Sequence, residues 1–246
     1  MGGGGVVVVL DFDRTIIDDD SDRWIVAELG LTELFKELRH SMPWISLMDR
    51  IMAQLHSNGV TVDHIADCLK RLPFPPPIVS AIKSAHALGC DLRIISDANT
   101  FSIRTILQHH ALFHCFSQIH TNPAFLDNHG RLRVTPFHHS THSPHSCPLC
   151  PPNMCKGLVI DQIRSSLLSG TGNEEERRFI YIGDGAGDYC PTLKLKGGDF
   201  VMPRKNYPLW NKIHSDPKLV AAQLHDWSTG EDLETILLNL INKISL

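Results

Sequence analysis

The sequence predicts an α/β fold in which helices cover the faces of a parallel β-sheet. Residues 6–10 have the apolar, β-branched composition of a strand that is buried on both faces, residues 179–182 predict another buried strand, and the mainly apolar residues 92–95 predict a third. Segments with the apolar spacing of helices lie between them along the chain. Polar residues follow the predicted strands directly or after one glycine, and open α/β sheets bind their ligands outside the carboxyl ends of the strands.

The first strand leads directly into two carboxylates. Residues 6–10 are all apolar, four of them are β-branched, and Asp11 and Asp13 follow with one residue between them. Because side chains alternate along an extended chain, both carboxylates point to the same side of the strand end. Like charges this close need a neutralising partner, and Mg²⁺ is a hard dication that prefers oxygen ligands. The alternative is a solvated acidic turn that only caps the strand.

The composition indicates a globular protein with a sizeable core. Its 246 residues are 42% hydrophobic and 20% charged, and the formal net charge of -4 leaves no basic footprint for a nucleic acid. No stretch contains the roughly eighteen apolar residues that a membrane span needs. Seven cysteines, an odd number, do not suggest a disulfide framework, which favours a reducing, cytoplasmic compartment. We therefore expect neither a nucleic-acid partner nor a membrane.

The residues between the first two strands predict a small helical insert. Apolar residues repeat at helical spacing over residues 24–70. The prolines of residues 73–77 form a stiff segment that returns the chain to the core, unless it is a ligand for a partner domain. We expect a cap at residues 21–77 and a core formed by residues 1–20 and 78–246.

The second and third strands also end in polar side chains. The second runs into Ser96 and Asp97, ahead of a helix whose N-terminus favours anions. The third runs into the glycine-rich loop 183–188, and glycine lets the backbone turn sharply beside a metal. Asp184 in this loop is expected to point to the same place as Asp11.

Three further elements complete the prediction. Residues 119–136 predict a β-hairpin with its turn at residues 127–130. Lys156 begins a helix that Asn153 is placed to cap. Residues 232–244 align their apolar side chains on one face, as a C-terminal helix packed on the sheet requires.

The segment 137–156 is rich in cysteine and histidine. Cys147 and Cys150 form a C-x₂-C pair, and Cys155 follows. Four histidines lie nearby: His138, His139, His142 and His145. These residue types make a tetrahedral zinc site conceivable. The segment lacks a second C-x₂-C pair or an ordered pair of histidines, so the alternative is that the cysteines only pack or face a cleft.

Four motifs, in this order, resemble the haloacid dehalogenase superfamily of aspartyl-phosphate phosphatases. They are the DxDxT run at residues 11–15, Ser96, Lys156 and the GDGxxD loop at residues 183–188. The residues around these motifs are similar to the phosphoethanolamine/phosphocholine phosphatase family. That family includes pyridoxal-phosphate phosphatases and plant members that act on pyrophosphate or thiamine monophosphate.

The resemblance implies a Rossmann-like parallel sheet with a helical cap inserted between the first and second motifs. It also implies that Asp11 is the nucleophile and Asp13 the acid/base of an aspartyl-phosphate mechanism. Ser96 and Lys156 would hold the phosphoryl oxygens. Mg²⁺ would be bound by Asp11, the backbone carbonyl of Asp13 and Asp184. The implied reaction is the hydrolysis of a small phosphorylated metabolite.

The residues around the motifs bear on the choice of substrate. By the resemblance, Asp22 and Asp97 contact the substrate, and their charge suits a cationic leaving group such as ethanolamine, choline or thiamine. The alternative is that both aspartates only cap helices. Arg14 and Gly187 stand where relatives often carry Glu and Asn, and both positions flank the chemistry, where they affect selectivity.

Other functions stay open at this point. Pyrophosphate or pyridoxal phosphate could be hydrolysed by the same chemistry, and an alcohol could replace water as the acceptor. A zinc-binding protein would use Cys147, Cys150 and Cys155. A catalytically idle scaffold is the last alternative, and the residues that argue against it are those of an intact site: Asp11, Asp13, Ser96, Lys156 and Asp184.

Overall fold

A six-stranded parallel sheet forms the centre of the computed structural model, which describes residues 5–138, 145–170 and 177–245. The strands along the chain are β1 (Val6–Leu10), β2 (Asp91–Asn99), β3 (Phe116–Asn122), β4 (Ala124–Leu126), β5 (Leu132–Val134), β6 (Arg178–Gly183), β7 (Phe200–Pro203) and β8 (Gln223–Leu224). The sheet has the order β3-β2-β1-β6-β7-β8, and every neighbouring pair is parallel. This topology confirms the predicted α/β fold with a Rossmann-like sheet.

Helices occupy much of the chain between the strands. They are α1 (Ser21–Glu28), α2 (Thr32–Leu38), α3 (Trp44–Ser57), α4 (Val62–Lys70), α5 (Pro76–Ala87), α6 (Thr100–His109), α7 (Lys156–Gly170), α8 (Tyr189–Thr192), α9 (Pro208–Ser215) and α10 (Gly230–Ile244). The first four lie where the sequence predicted a helical insert. Helix α5 begins at Pro76, because proline suits the first turn of a helix. The boundary expected after residue 77 thus falls inside a helix, and the division into core and cap stays a prediction.

The register of β1 fixes the edge of the sheet at which the polar residues meet. All five residues of this strand are buried. Leu10 pairs with Ile94 of β2 and with Ile182 of β6. Because these three strands run in the same direction, the residues that follow the paired positions emerge at one edge of the sheet.

Two hydrophobic cores cover the two faces of the sheet. Val6, Val8 and Leu10 face a core that includes residues of α5, α6 and α10. Val7 and Val9 face a second core that includes residues of α7 and α9. Burying a side chain of this size contributes about 1.5–3 kcal/mol, so the five residues of β1 hold both layers on the sheet. None of the helices in the described part of the chain combines the length and the hydropathy that a membrane span requires.

The hairpin is shorter than the predicted one. The sequence predicted paired strands over residues 119–136, but β3 is an edge strand of the main sheet, and only β4 and β5 form the hairpin. Pro123 separates β3 from the hairpin and lacks the N–H group that would continue a ladder. Arg133 in β5 donates to the carboxylate of Asp49 in α3 at 2.8 and 2.9 Å, which ties the hairpin to the helical insert.

Candidate active site

The loop after β1 holds its two carboxylates by backbone hydrogen bonds. The N–H group of Asp11 donates to the carbonyl of Ile182 at 2.9 Å, and the N–H group of Phe12 donates to Oδ1 of Asp11 at 2.7 Å. The Phe12 side chain is fully buried and anchors the loop. Oδ1 of Asp13 accepts the N–H group of Ser21 at 2.9 Å. This bond places the carboxylate at the N-terminus of α1, where the helix dipole favours negative charge.

Lys156 lies between two carboxylates. It is the first residue of α7 and is 3% exposed. Its Nζ lies 2.9 Å from Oδ1 of Asp11 and 2.7 Å from Oδ1 of Asp188. Burial alone would lower the pKa of Lys156, but Asp11 and Asp188 outweigh burial and raise this pKa above its ordinary value. The ammonium therefore stays charged.

Asp188 organises the loop after β6. Its Oδ2 accepts the N–H groups of Asp184 at 3.1 Å and Gly185 at 2.8 Å, and its Oδ1 accepts the hydroxyl of Tyr181 at 2.7 Å. A Cβ atom at position 183 would lie 2.7 Å from this carboxylate, so Gly183 leaves the space that Asp188 fills. The direction of the loop, and with it the position of Asp184, depends on Asp188.

Three buried carboxylates meet at this edge of the sheet. Asp11, Asp184 and Asp188 each offer an oxygen, and these oxygens lie within 4.8 Å of one another. Burial and the charge of Asp188 raise the pKa of Asp11, and they raise the pKa of Asp184 to about 6. A hard dication would offset the repulsion between these carboxylates, and oxygen atoms are the ligands that it prefers. The cluster could therefore bind a divalent metal ion.

The metal cluster includes two of the predicted ligands. Asp11 and Asp184 belong to it, whereas the carboxylate of Asp13 does not. The predicted ligand at Asp13 is its backbone carbonyl and not its carboxylate.

Asp188 already accepts four hydrogen bonds from Lys156, Tyr181 and the loop backbone. Its oxygens are therefore more committed than those of Asp184, whose Oδ1 accepts the Thr15 hydroxyl at 3.2 Å.

A small polar cavity of about 160 Å³ contains the predicted catalytic residues. Its lining includes Asp11, Asp13, Ser96, Asp97, Lys156 and Asp184. Burial, together with the charges of Asp20 and Asp22, raises the pKa of Asp13 well above its ordinary value. A carboxyl group with a raised pKa keeps a proton that it can donate, which is the property a general acid needs.

A larger cavity of about 640 Å³ adjoins the small one, because Asp13 and Asp97 line both. Its wall is mostly apolar and includes Pro43, Trp44, Ile45 and Pro152, and its acidic lining includes Asp20 and Asp22. Both cavities lie at the carboxyl ends of the strands. One ligand can therefore place a small group in the small cavity and a larger group, covalently joined to it, in the larger cavity.

The two predicted substrate residues are each held by a second side chain. Oδ2 of Asp22 accepts the indole N–H of Trp44 at 2.8 Å, and Oδ1 of Asp97 accepts the amide of Asn153 at 2.8 Å. Burial, followed by the charge of Asp20, raises the pKa of Asp22 to about 7. Asn153, which the sequence suggested as a helix cap, instead orients a carboxylate in the cavity wall.

The structure brings the predicted site residues to one place. Asp11, Asp13, Ser96, Lys156 and Asp184 share the small cavity, and Asp22 and Asp97 line the larger one. Sequence analysis did not find Trp44 or Tyr181. Tyr181 carried one signal: it is the only hydroxyl-bearing residue in the apolar run 179–182, and a buried hydroxyl normally has a partner. Trp44 carried none, because it reaches Asp22 from another helix.

Comparison with known proteins gives the family. The model of the Putative Phosphatase family matches residues 6–241. The chain is 54% identical to a thiamine phosphate phosphatase-like protein of Arabidopsis thaliana, over 98% of this chain and 97% of that protein. It is also 54% identical to inorganic pyrophosphatase 2 of Arabidopsis thaliana, over 97% of this chain and 85% of that protein.

A solved structure supports the fold. An HAD family hydrolase from Salmonella enterica subsp. enterica serovar Typhi superposes with a TM-score of 0.63, covering 97% of this chain and 71% of that chain at 15% sequence identity. The four motifs, their positions at the carboxyl edge of the sheet and the match to the family agree with one another. The chain belongs to the Putative Phosphatase family, whose fold is that of the haloacid dehalogenase superfamily.

Proposed function

We propose that this protein is a Mg²⁺-dependent phosphatase that hydrolyses small phosphomonoesters with a cationic leaving group through an aspartyl-phosphate intermediate. The observation that carries the proposal is the pair of adjoining cavities. The small cavity combines Asp11 with the ammonium of Lys156, 2.9 Å away, and is large enough for a phosphoryl group. The larger cavity adds Asp22 and Asp97 to an apolar wall that suits an organic cation.

In the first step a carboxylate oxygen of Asp11 attacks phosphorus in line, and the bond from phosphorus to the ester oxygen breaks. Asp13 donates its proton to the leaving oxygen, and its raised pKa supports this role. The Phe12 N–H group and the Lys156 ammonium both contact Oδ1 of Asp11, so we assign the attack to Oδ2.

In the second step Asp13, now ionised, takes a proton from water while the water oxygen attacks phosphorus. The bond from phosphorus to Asp11 breaks, which returns the Asp11 carboxylate and releases phosphate. Ser96 and Lys156 hold the equatorial oxygens as they gain charge in both steps. Each such donor typically contributes about 2–4 kcal/mol to the stabilisation of a transition state.

Mg²⁺ would be held by Asp11, Asp184 and the backbone carbonyl of Asp13. When bound, it supplies positive charge that offsets the repulsion between the phosphate and the carboxylates. The preference for Mg²⁺ rests on the all-oxygen donor set, which suits hard cations.

The acidic lining of the larger cavity favours a cationic leaving group. Asp20, Asp22 and Asp97 surround the space beyond the small cavity, so an ammonium or thiazolium group there would be attracted and an anion repelled. Phosphocholine, phosphoethanolamine and thiamine monophosphate are the candidate substrates. We also propose the cytoplasm as the location, consistent with seven cysteines that are all free thiols.

Pyrophosphate is the second candidate substrate, and one observation favours it. Arg14 lines the small cavity, where its guanidinium could meet a second phosphate. Its side chain pairs with Asp20 at 3.3 Å and is 39% exposed, so its charge is partly neutralised already. The relative named inorganic pyrophosphatase 2 makes this candidate worth testing alongside the cationic esters.

The deciding experiment measures phosphate release with Mg²⁺ from phosphocholine, phosphoethanolamine, thiamine monophosphate, pyridoxal phosphate and pyrophosphate. The Asp11→Asn variant is the control, because it keeps the shape of the side chain and removes the nucleophile. We expect the cationic esters to have the highest kcat/KM, and Asp11→Asn to have no activity on any substrate. Highest activity on pyrophosphate would reject the cationic leaving group, and activity in Asp11→Asn would reject the aspartyl-phosphate mechanism.

A further inference from the structure

Four cysteines from three separate segments of the chain converge outside the candidate active site. Cys147 and Cys150 lie in the turn before α7, Cys155 directly precedes α7, and Cys190 lies in α8. Their four sulfur atoms lie within 4.8 Å of one another. Sequence analysis found three of these residues and lacked the fourth ligand, which α8 supplies.

The sulfur distances match those of a tetrahedral metal site. Four thiolates at about 2.3 Å from a common Zn²⁺ have sulfurs about 3.8 Å apart. Cys190 Sγ lies 3.6 Å from Cys147 Sγ and 3.7 Å from Cys155 Sγ. A disulfide needs sulfurs at about 2.05 Å, so none of the four is bonded to another.

The surroundings of the sulfurs suit thiolates. The N–H group of Leu149, two residues after Cys147, hydrogen-bonds the sulfur of Cys147. Backbone donors of this kind stabilise metal-bound thiolates and orient them. The ammonium of Lys194 interacts electrostatically with Cys155 and Cys190, which offsets part of the negative charge that four thiolates around a dication carry.

The backbone leaves room for the fourth sulfur. A Cβ atom at position 157 would lie 2.6 Å from Sγ of Cys190, so only a glycine in the first turn of α7 allows this sulfur to approach. The histidines of the same segment are not needed. His138 and His145 lie outside the sulfur cluster, and His139 and His142 fall outside the described residues.

We infer that Cys147, Cys150, Cys155 and Cys190 form a structural Zn²⁺ site of the four-cysteine type. Binding releases the thiol protons and leaves no open coordination position, as in other closed sites of this type. The site would join the segment before α7 to α8. Cys155 is adjacent to Lys156, and Cys190 follows Asp188 by two residues. Zinc would therefore hold both ends of the buried Lys156–Asp188 ion pair in place.

The test measures metal content by mass spectrometry on the purified full chain, prepared with a thiol reductant and without chelator. We expect about one zinc per chain in the unmodified protein and a loss to less than about a tenth in Cys190→Ser and Cys147→Ser. Cys90→Ala is the matched control, since Cys90 is a buried free thiol outside the cluster, and it should retain zinc. Asp184→Asn should retain zinc as well, which separates this site from the carboxylate cluster.

A second measurement uses the unmodified protein and so gives a result even if the cysteine variants fail to fold. Zinc K-edge absorption of the unmodified protein should report four sulfur neighbours at about 2.3 Å. Zinc below a tenth per chain after incubation with Zn²⁺ and reductant, retention of zinc by folded Cys190→Ser, or a first shell with oxygen or nitrogen would each reject the site. None of these readings depends on phosphatase activity, so the proposed function can fail while the zinc site stands.

Discussion

The ammonium of Lys156 lies 2.7 Å from Oδ1 of Asp188, and the side chains are 4% and 0% exposed. The same ammonium lies 2.9 Å from Asp11, so one cation compensates two buried carboxylates. Removing one partner of a buried pair leaves the other charge unpaired, which costs about 3–5 kcal/mol. Stability and the alignment of the nucleophile therefore depend on the same contact.

Lys156→Ala should lower both activity and stability. We expect kcat/KM with Mg²⁺ to fall by about 10²–10³, because a donor to the phosphoryl oxygens is lost. We also expect the free energy of unfolding to fall by about 3–5 kcal/mol, measured by denaturant titration. Lys36→Ala is the control, since it removes an exposed pair with Glu33 and should change stability by less than about 1 kcal/mol. An unchanged kcat/KM would remove Lys156 from the mechanism.

Local patterns predicted the central strands β1, β2 and β6 and the polar residues near their carboxyl ends. Asp11 and Asp13 could be placed because a five-residue apolar run fixes both the strand and the side to which its neighbours point. Ser96 and Asp184 could be assigned to the same edge because their strands pair in parallel with β1. The predicted end of the second strand at residue 95 was wrong, since β2 continues to Asn99 and Ser96 lies within it. In these cases the position of a side chain depends on residues within a few places along the chain.

Contacts between distant segments could not be predicted in this way. The indole of Trp44 reaches Asp22 from another helix, and Cys190 meets Cys147 from 43 residues further along the chain. Their positions depend on how α3 and α8 pack, which no short pattern encodes. The sequence predicts residues 119–125 as one arm of the hairpin, whereas residues up to Asn122 belong to the edge strand β3 of the main sheet. Several residues of β3 are polar, so its sequence pattern differs from that of the buried strands.

Gly183→Ala should disturb the loop after β6. The added Cβ would lie 2.7 Å from the Asp188 carboxylate, so Asp188 must move and its bonds to the loop backbone must lengthen. We expect a loss of about 1–3 kcal/mol in the free energy of unfolding and a higher Mg²⁺ concentration for half-maximal activity. Gly185→Ala is the matched control, because its Cβ would lie 3.5 Å from Asp188, an ordinary contact. Equal Mg²⁺ requirements in the two variants would contradict the proposed role of Asp188.

The preference for a cationic leaving group should depend on pH through Asp22. Its pKa is raised from 3.8 to about 7, so the carboxyl is ionised above pH 7 and neutral below it. The comparison substrate is 3,3-dimethylbutyl phosphate, an isostere of phosphocholine whose leaving group is uncharged. We expect the ratio of kcat/KM for phosphocholine to that for this isostere to fall as pH decreases from 8 to 6. The ratio cancels the effects of pH on the catalytic groups and on the phosphate, because these effects are the same for both substrates. Asp22→Asn should have a low ratio that does not change with pH, and a flat ratio in the unmodified protein would contradict the role of Asp22.

The same raised pKa predicts how stability changes with pH. The folded state holds the Asp22 proton up to about pH 7, whereas the unfolded chain releases it near 3.8, so this group lowers stability as pH rises through that window. Asp22→Asn removes the effect. The Tm of Asp22→Asn minus that of the unmodified protein should therefore increase between pH 4 and 7 and level off above it. A difference that decreases with pH would show that Asp22 ionises more readily in the folded state.

Arg14 should affect the preference of the enzyme for pyrophosphate over a cationic ester. The guanidinium of Arg14 in the lining of the small cavity attracts a second phosphate, whereas it repels an ammonium group. We expect Arg14→Gln to lower kcat/KM for pyrophosphate relative to phosphocholine by about tenfold, or 1.4 kcal/mol, and Arg14→Glu to lower it further.

Arg71→Gln is the control, because it removes the same charge at an exposed pair with Glu28, outside the lining of both cavities. Both Arg14 variants keep a side chain at a residue whose φ is 57°, so backbone strain is equal and the difference reports charge. An unchanged ratio in both variants would mean that the acidic wall of the larger cavity, rather than Arg14, sets the selectivity.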